Sequence, residues 1–164
     1  MYHAGISGSM QITDSIKGRL GSNAYIYNNE SEKGEFKDDN AIEIYEVASR
    51  FDFDTALLPL YVYAQYAKNA SAKDGKDSAW LAGFGAKLGA FKMDYNYRDT
   101  QEFAVADTFN DGDFATGNTA ARGHKVKLAY AISKNFAAAM AYYAAEEYSG
   151  TNIDTLQLDL KAKF

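Results

Sequence analysis

Ile153 to Phe164, IDTLQLDLKAKF, alternates almost without fault. Successive side chains of a β-strand point to opposite sides, so Leu156, Leu158, Leu160, Ala162 and Phe164 share one face while Thr155, Gln157, Asp159, Lys161 and Lys163 share the other. One face suits hydrocarbon and the other suits water. A soluble sheet buries such an apolar face; a sheet in a bilayer turns it to lipid.

The same two-residue period recurs upstream. Phe91 to Arg98 sets Phe91, Met93, Tyr95 and Tyr97 against Lys92, Asp94, Asn96 and Arg98. Arg122 to Ile132 sets Val126, Leu128, Tyr130 and Ile132 against Lys125, Lys127, Ala129 and Ala131, and Ser78 to Leu88 sets Trp80, Ala82, Phe84, Ala86 and Leu88 against Leu81, Gly83, Gly85 and Lys87. Ile42 to Asp54 and Pro59 to Lys68 form a hairpin around Thr55 to Leu58; Tyr2 to Ile12 and Gly18 to Asn28 are Gly- and Ser-containing candidates. Phe136 to Tyr148 is ambiguous. FAAAMAYYAAEEY is alanine-rich and Ser133 or Asn135 would cap a helix, yet it lies between two alternating strands and follows a hairpin-length join. The reading is eight strands with a ninth candidate.

Mean hydropathy is −0.39, and the chain carries 24% charged residues with a net charge of −5. Such values do not exclude a membrane protein: a spanning strand needs only about 9 to 11 residues with alternate positions apolar, against roughly 20 consecutive apolar residues for a helix. The 164 residues contain 13 Tyr and 10 Phe but no Cys, which removes disulfides, thiolate metal sites and thiol catalysis together. MYHAGISGSM has neither a basic nor an apolar leader region, so on a membrane reading the chain is a processed or truncated product.

Joins alternate in length. Those at Thr55 to Leu58, Gly89-Ala90 and Ser133 to Asn135 are short; Asn29 to Ala41, Asn69 to Asp77, Asp99 to Ala121 and Ser149 to Asn152 fall at the opposite end and are mostly longer. Bacterial outer-membrane barrels have short periplasmic turns and longer extracellular loops. Aromatics gather at the strand ends as membrane girdles do, with Phe51, Phe53, Phe91, Phe136 and Phe164 at the short-turn end and Tyr25, Tyr27, Tyr66, Trp80, Tyr97, Tyr142 and Tyr148 at the other. The expected fold is all-β: a transmembrane antiparallel up-and-down β-barrel forming one domain over residues 1–164, with residues 1–20 the weakest part. Trp80, Phe91, Tyr97, Phe136 and Phe164 are its expected lipid-facing girdle.

From Trp80 to Phe136 and on to the terminal LQLDLKAKF, the chain resembles the C-terminal part of the Gram-negative "putative porin" family. YNYRD at Tyr95 to Asp99, NDGDF at Asn110 to Phe114 and RGHKVKLAY at Arg122 to Tyr130 carry the resemblance. It implies a bacterial outer-membrane pore, trimeric or monomeric, passing small hydrophilic solutes or ions by diffusion and inserted by the barrel-assembly machinery. It also implies a longer protein, because about eight strands enclose only side chains. A channel therefore requires this chain to be the C-terminal part of a larger barrel. The other reading is a complete eight-stranded barrel with a structural or adhesive surface role; a soluble ligand-binding barrel is a third class.

Alternation turns Lys87, Lys92, Asp94, Arg98, Lys125, Lys127, Asp159, Lys161 and Lys163 toward the lumen, together with Glu46, Arg50, Asp52 and Asp54. Bases outnumber acids there, so a slight anion preference is expected, set against the plainer alternative of mutual charge pairing. Outer loops are acidic. Asp107, Asn110, Asp111 and Asp113 are the best oxygen-ligand group for Ca²⁺ or Mg²⁺ bridging to lipopolysaccharide, although their spacing is not that of an EF-hand and a solvated acidic loop explains them equally. No other cofactor is implied. Gly83, Gly85 and Gly89 lie inside an alternating strand, unlike a dinucleotide loop. His124 has no evident catalytic partner, so no enzyme is expected. The acidic chain lacks a basic aromatic face for nucleic acid.

Overall fold

The computed structural model describes residues 2–27, 42–55, 58–72, 75–105 and 111–163. Within them run nine strands: β1 (Tyr2–Thr13), β2 (Ile16–Tyr27), β3 (Ile42–Phe53), β4 (Leu60–Asn69), β5 (Ser78–Leu88), β6 (Phe91–Thr100), β7 (Ala121–Ala131), β8 (Phe136–Glu147) and β9 (Asn152–Ala162). Each pairs antiparallel with the next in one up-and-down sheet. The ninth strand is present, and the sheet is not closed: β1 and β9 stand at its two edges.

The alanine-rich segment is a strand. Its residues pair from Ala121 with Glu147 to Ala131 with Ala137 on one side, and from Phe136 with Ala162 to Glu146 with Asn152 on the other. Two ladders satisfy its backbone, and this tertiary pairing overrides the helical preference of alanine. No helix among the described residues is long and apolar enough to cross a membrane.

The two faces are inverted relative to a soluble sheet. Leu158 and Leu160 are 73% and 75% exposed, and Val47, Val62, Phe84, Phe91 and Leu156 on the same face are also open, whereas Asn96 and Thr100 on the other face are buried. Apolar groups are uncovered while polar groups are covered. Large contiguous apolar exposure of this kind marks a surface made for lipid or for a partner.

Joins 14–15, 54–59, 89–90 and 132–135 lie at one end of the sheet, and 28–41, 70–77, 101–120 and 148–151 at the other. Three of the second group are longer than any of the first. The fourth, 148–151, is a tight turn no longer than 132–135, closed by Glu147 N–H donating to the Thr151 carbonyl at 2.9 Å.

Register brings two tyrosines of β4 across two glycines of β5. Tyr61 pairs with Gly85 and Tyr63 with Gly83, and a Cβ built on Gly85 would lie 2.1 Å from the Tyr61 ring and 2.7 Å from the Met93 carbonyl oxygen. The missing side chains let both rings lie over the backbone. Their hydroxyls donate to Asp94, Tyr61 to Oδ2 at 2.7 Å and Tyr63 to Oδ1 at 2.8 Å, while Asn96 Nδ2 donates to the Tyr63 oxygen at 3.0 Å. Gly85→Val should displace Tyr61 and cost about 1–3 kcal/mol, as overpacking does. Gly8, with open space at its Cβ position, should accept Ala with little change. Urea unfolding in detergent, followed by the loss of the compact form on a gel, compares the two.

Candidate functional site

The polar face is a wall of charges. β2 contributes Lys17 and Arg19, β3 Glu46, Arg50 and Asp52, β5 Lys87, β6 Lys92, Asp94 and Arg98, β7 Lys125 and Lys127, and β9 Asp159 and Lys161, with Lys163 continuing the period beyond β9. Lys17 stands opposite Asp52 and Arg19 opposite Arg50, which follows from a β2 register that sequence reasoning did not use. Arg50 Nη2 meets Asp52 at 2.6 Å and Arg19 meets it at 3.4 Å. The Arg50 guanidinium lies 3.8 Å from the Tyr61 ring centre.

The described parts of join 101–120, residues 101–105 and 111–120, do not stand away from the sheet but pack over this wall. Near its start, Val105 packs against the buried cluster of Ile42, Ile44 and Ala67 on β3 and β4. Toward its end, Phe114 is wholly buried with Ala141, Tyr143 and Ala145 of β8. The inward alanines of β8 make room for that ring. Arg98 covers it from the other side, its guanidinium 4.7 Å from the ring centre.

Asp111 is the polar half of the attachment. Its Oδ2 lies 2.8 Å from Lys125 Nζ and 3.3 Å from Arg98 Nη2, with all three side chains largely covered. Burial pushes the Asp111 carboxyl up, but the Lys125 hydrogen bond and the charges of Lys125 and Arg98 hold it below its ordinary value. Phe103 O accepts from Asn69 Nδ2 at 2.7 Å, Thr119 donates to Glu102 O at 2.8 Å and Asn118 Nδ2 to Glu147 at 3.1 Å. Just after the Phe114 anchor, Ala115 and Thr116 take φ of 49° and 56°, a left-handed conformation uncommon for non-glycine residues and maintained by the surrounding contacts. Between the join and the wall lies a cleft of about 440 Å³ whose lining includes Glu46, Gln65, Arg98, Thr100 and Asp111.

These contacts give one residue of the acidic loop partners on the wall. Asp111 faces two cations of the wall, Asp113 is exposed, and Asp107 and Asn110 lie outside the described residues, as do Asn29 to Ala41 and Phe164. Among the described residues no three His, Asp or Glu side chains converge as a metal site. Tyr25 also departs from the girdle reading: paired with Ile44 and His3, it lies on the polar face, stacked on the His3 ring at 4.6 Å. The Tyr27 side chain lies outside the described set. Trp80, Phe91, Tyr97 and Phe136 are on the apolar face, Trp80 against Tyr97 at 5.5 Å and Phe91 against Tyr130 at 4.6 Å. His124 is on that face too, its Nδ1 sharing a hydrogen bond of 2.8 Å with the Tyr95 hydroxyl. Beside it Arg122 meets Glu146 at 3.1 Å, and Tyr148 donates to Asp99. Partial burial and the Asp99 carboxylate push the Tyr148 hydroxyl up to about 12, so it remains a donor at neutral pH.

The described residues thus form one up-and-down antiparallel sheet with an apolar open face and a charged face, over which loop residues pack. The family model described as "Putative porin" matches residues 24–164, and the chain belongs to that family. Comparison with curated proteins and with solved structures finds no match.

Two outcomes follow for the loop. Asp111→Asn removes the charge shared by Arg98 and Lys125, and should raise proteolysis within 101–120 several-fold without unfolding the strands. Because the Asp111 pKa is lowered by folding, its hold is complete above the ordinary aspartate value of about 4 and weakens as pH falls through the lowered one. Protease sensitivity of the loop should therefore be flat from neutral pH down to about 4 and rise only below it.

Proposed function

We propose that the chain forms one wall of an outer-membrane porin, with its apolar face against lipid and lipopolysaccharide and its charged face lining a water-filled passage. The loop residues around Asp111 and Phe114 narrow that passage. The observation that carries this reading is the attachment of the loop: Asp111 between Arg98 and Lys125, with Phe114 sunk into the alanines of β8, holds it flat on the charged wall. A closed eight-stranded barrel would fill its interior with side chains; here the charged face is covered by a loop with a cleft beneath it.

The open edges favour a larger barrel over a self-contained one. An unpaired strand edge in hydrocarbon leaves backbone groups unsatisfied at several kcal/mol each, and bacterial single-chain barrels have even strand numbers. Nine strands with free edges are therefore read as part of a ring completed by further strands. Solutes pass by diffusion, without covalent chemistry or a cofactor. The aromatic-ended terminal strand is the segment presented to the barrel-assembly machinery, and a trimer is compatible with the polar patch around Arg122 and His124.

Bases outnumber carboxylates on the charged face, which favours anions modestly. The whole protein in a planar bilayer should give ohmic conductance with a reversal potential on the anion side, and Phe114→Ala, which frees the loop, should raise or destabilise the open current. Absence of conductance from folded protein would contradict the pore, and clear cation selectivity would contradict the lumen assignment.

A further inference from the structure

Like charges stand directly opposite each other at two places on the charged wall, Arg19 against Arg50 and Lys87 against Lys92. Such opposition destabilises a strand pair unless something offsets it. The arginines have their offset in Asp52, which meets both. The lysines do not: among the described residues neither has an acidic partner. Asp94 is on the same face, but it is held by two tyrosine hydroxyls and makes no ion pair with either lysine.

Lys87 and Lys92 line a concavity of about 580 Å³ with Arg50, Tyr61, Asp52 and Asp54, at the short-turn end of the wall. Lys92 Nζ lies 5.6 Å from the Tyr61 ring centre, and Arg50 approaches the same ring. Two cations thus approach one aromatic ring in an open hollow that Lys87 also lines. Asp52 is already shared by two arginines, and Asp54 lines the hollow with the lysine pair without an ion pair to either. The ring, held across Gly85 and fixed to Asp94, gives the hollow a rigid floor.

We propose that this hollow is a binding station for an oxyanion, a phosphate or a carboxylate, held between the Lys87 and Lys92 ammonium groups. An anion there turns the repulsion of the pair into two charge-assisted contacts. The proposal rests on the pore reading for its purpose and sharpens it: bulk positive charge gives ion preference, whereas a discrete hollow gives saturable binding of one solute class. Conduction through such a station requires occupancy weak enough for release.

The test uses the whole protein refolded in detergent and titrated with inorganic phosphate, acetate or chloride, with binding read by calorimetry and by the unfolding temperature. Phosphate or acetate should bind saturably and raise the unfolding temperature, and the stronger of the two names the class. The double variant Lys87→Gln, Lys92→Gln should weaken binding by about tenfold or more, equivalent to about 1.4 kcal/mol. It should also unfold at a higher temperature than the parent in anion-free buffer, since the repulsion is gone. Lys68→Gln, which removes one positive charge from the opposite face, should change neither. No binding, binding unchanged in the double variant, or an equal loss in Lys68→Gln would overturn the station. Binding without bilayer conductance would reject the pore and keep the site; conductance without binding would do the reverse.

Discussion

The antiparallel backbone ladder, continuous from the β1–β2 hairpin to the β8–β9 pair, is the constraint from which the remaining features follow. Its side-chain period is two, so register alone decides which residues face each side. A slip of one residue in β9 would move Leu156, Leu158 and Leu160 onto the charged face and Gln157, Asp159 and Lys161 onto the open one. Where one side meets lipid, such a slip is strongly opposed. The sheet's rigidity in turn holds Arg98 and Lys125 at the separation that Asp111 bridges.

Function in this wall depends on what lies across the ladder rather than along it. Tyr61 and Tyr63 reach Asp94 only because Gly85 and Gly83 stand opposite them on β5. Phe114 finds a seat only because the inward positions of β8 next to Tyr143 are Ala141 and Ala145. In both cases small residues on one strand create space that a ring from elsewhere fills, and a polar contact beside the ring fixes its place. The seating of Phe114 on the charged face and the hollow near Lys87 are two results of the same packing device.

Alternation made the strands and their faces legible in the sequence, because a period of two survives without any knowledge of neighbours. Charges from Lys87 to Lys161 could be sorted to one face on that basis alone. Tyr25 was read to the girdle because its aromatic character was weighed above its parity; it has the parity of Lys17 and Arg19, and that signal was available. The alanines of β8 kept a helix open beside the strand reading because the ring that makes them necessary, Phe114, comes from a loop over twenty positions away with no period to announce it. For the same reason Asp111 read as a candidate metal ligand in an acidic outer loop, since its two cations lie on β6 and β7 and only folding brings them together. Local pattern carries the sheet; long-range attachment does not appear in it.

Because the chain contains no cysteine, single cysteines along β9 test the assignment of faces most directly. Introduced one at a time at Gln157, Leu158, Asp159 and Leu160 in the whole protein in its membrane, they are exposed to a membrane-impermeant, water-soluble maleimide small enough to enter the pore. Labelling should alternate, strong at positions 157 and 159 and weak at 158 and 160. Uniform labelling, or the opposite alternation, would mean that the apolar face does not meet lipid, and the wall described here would not line a pore.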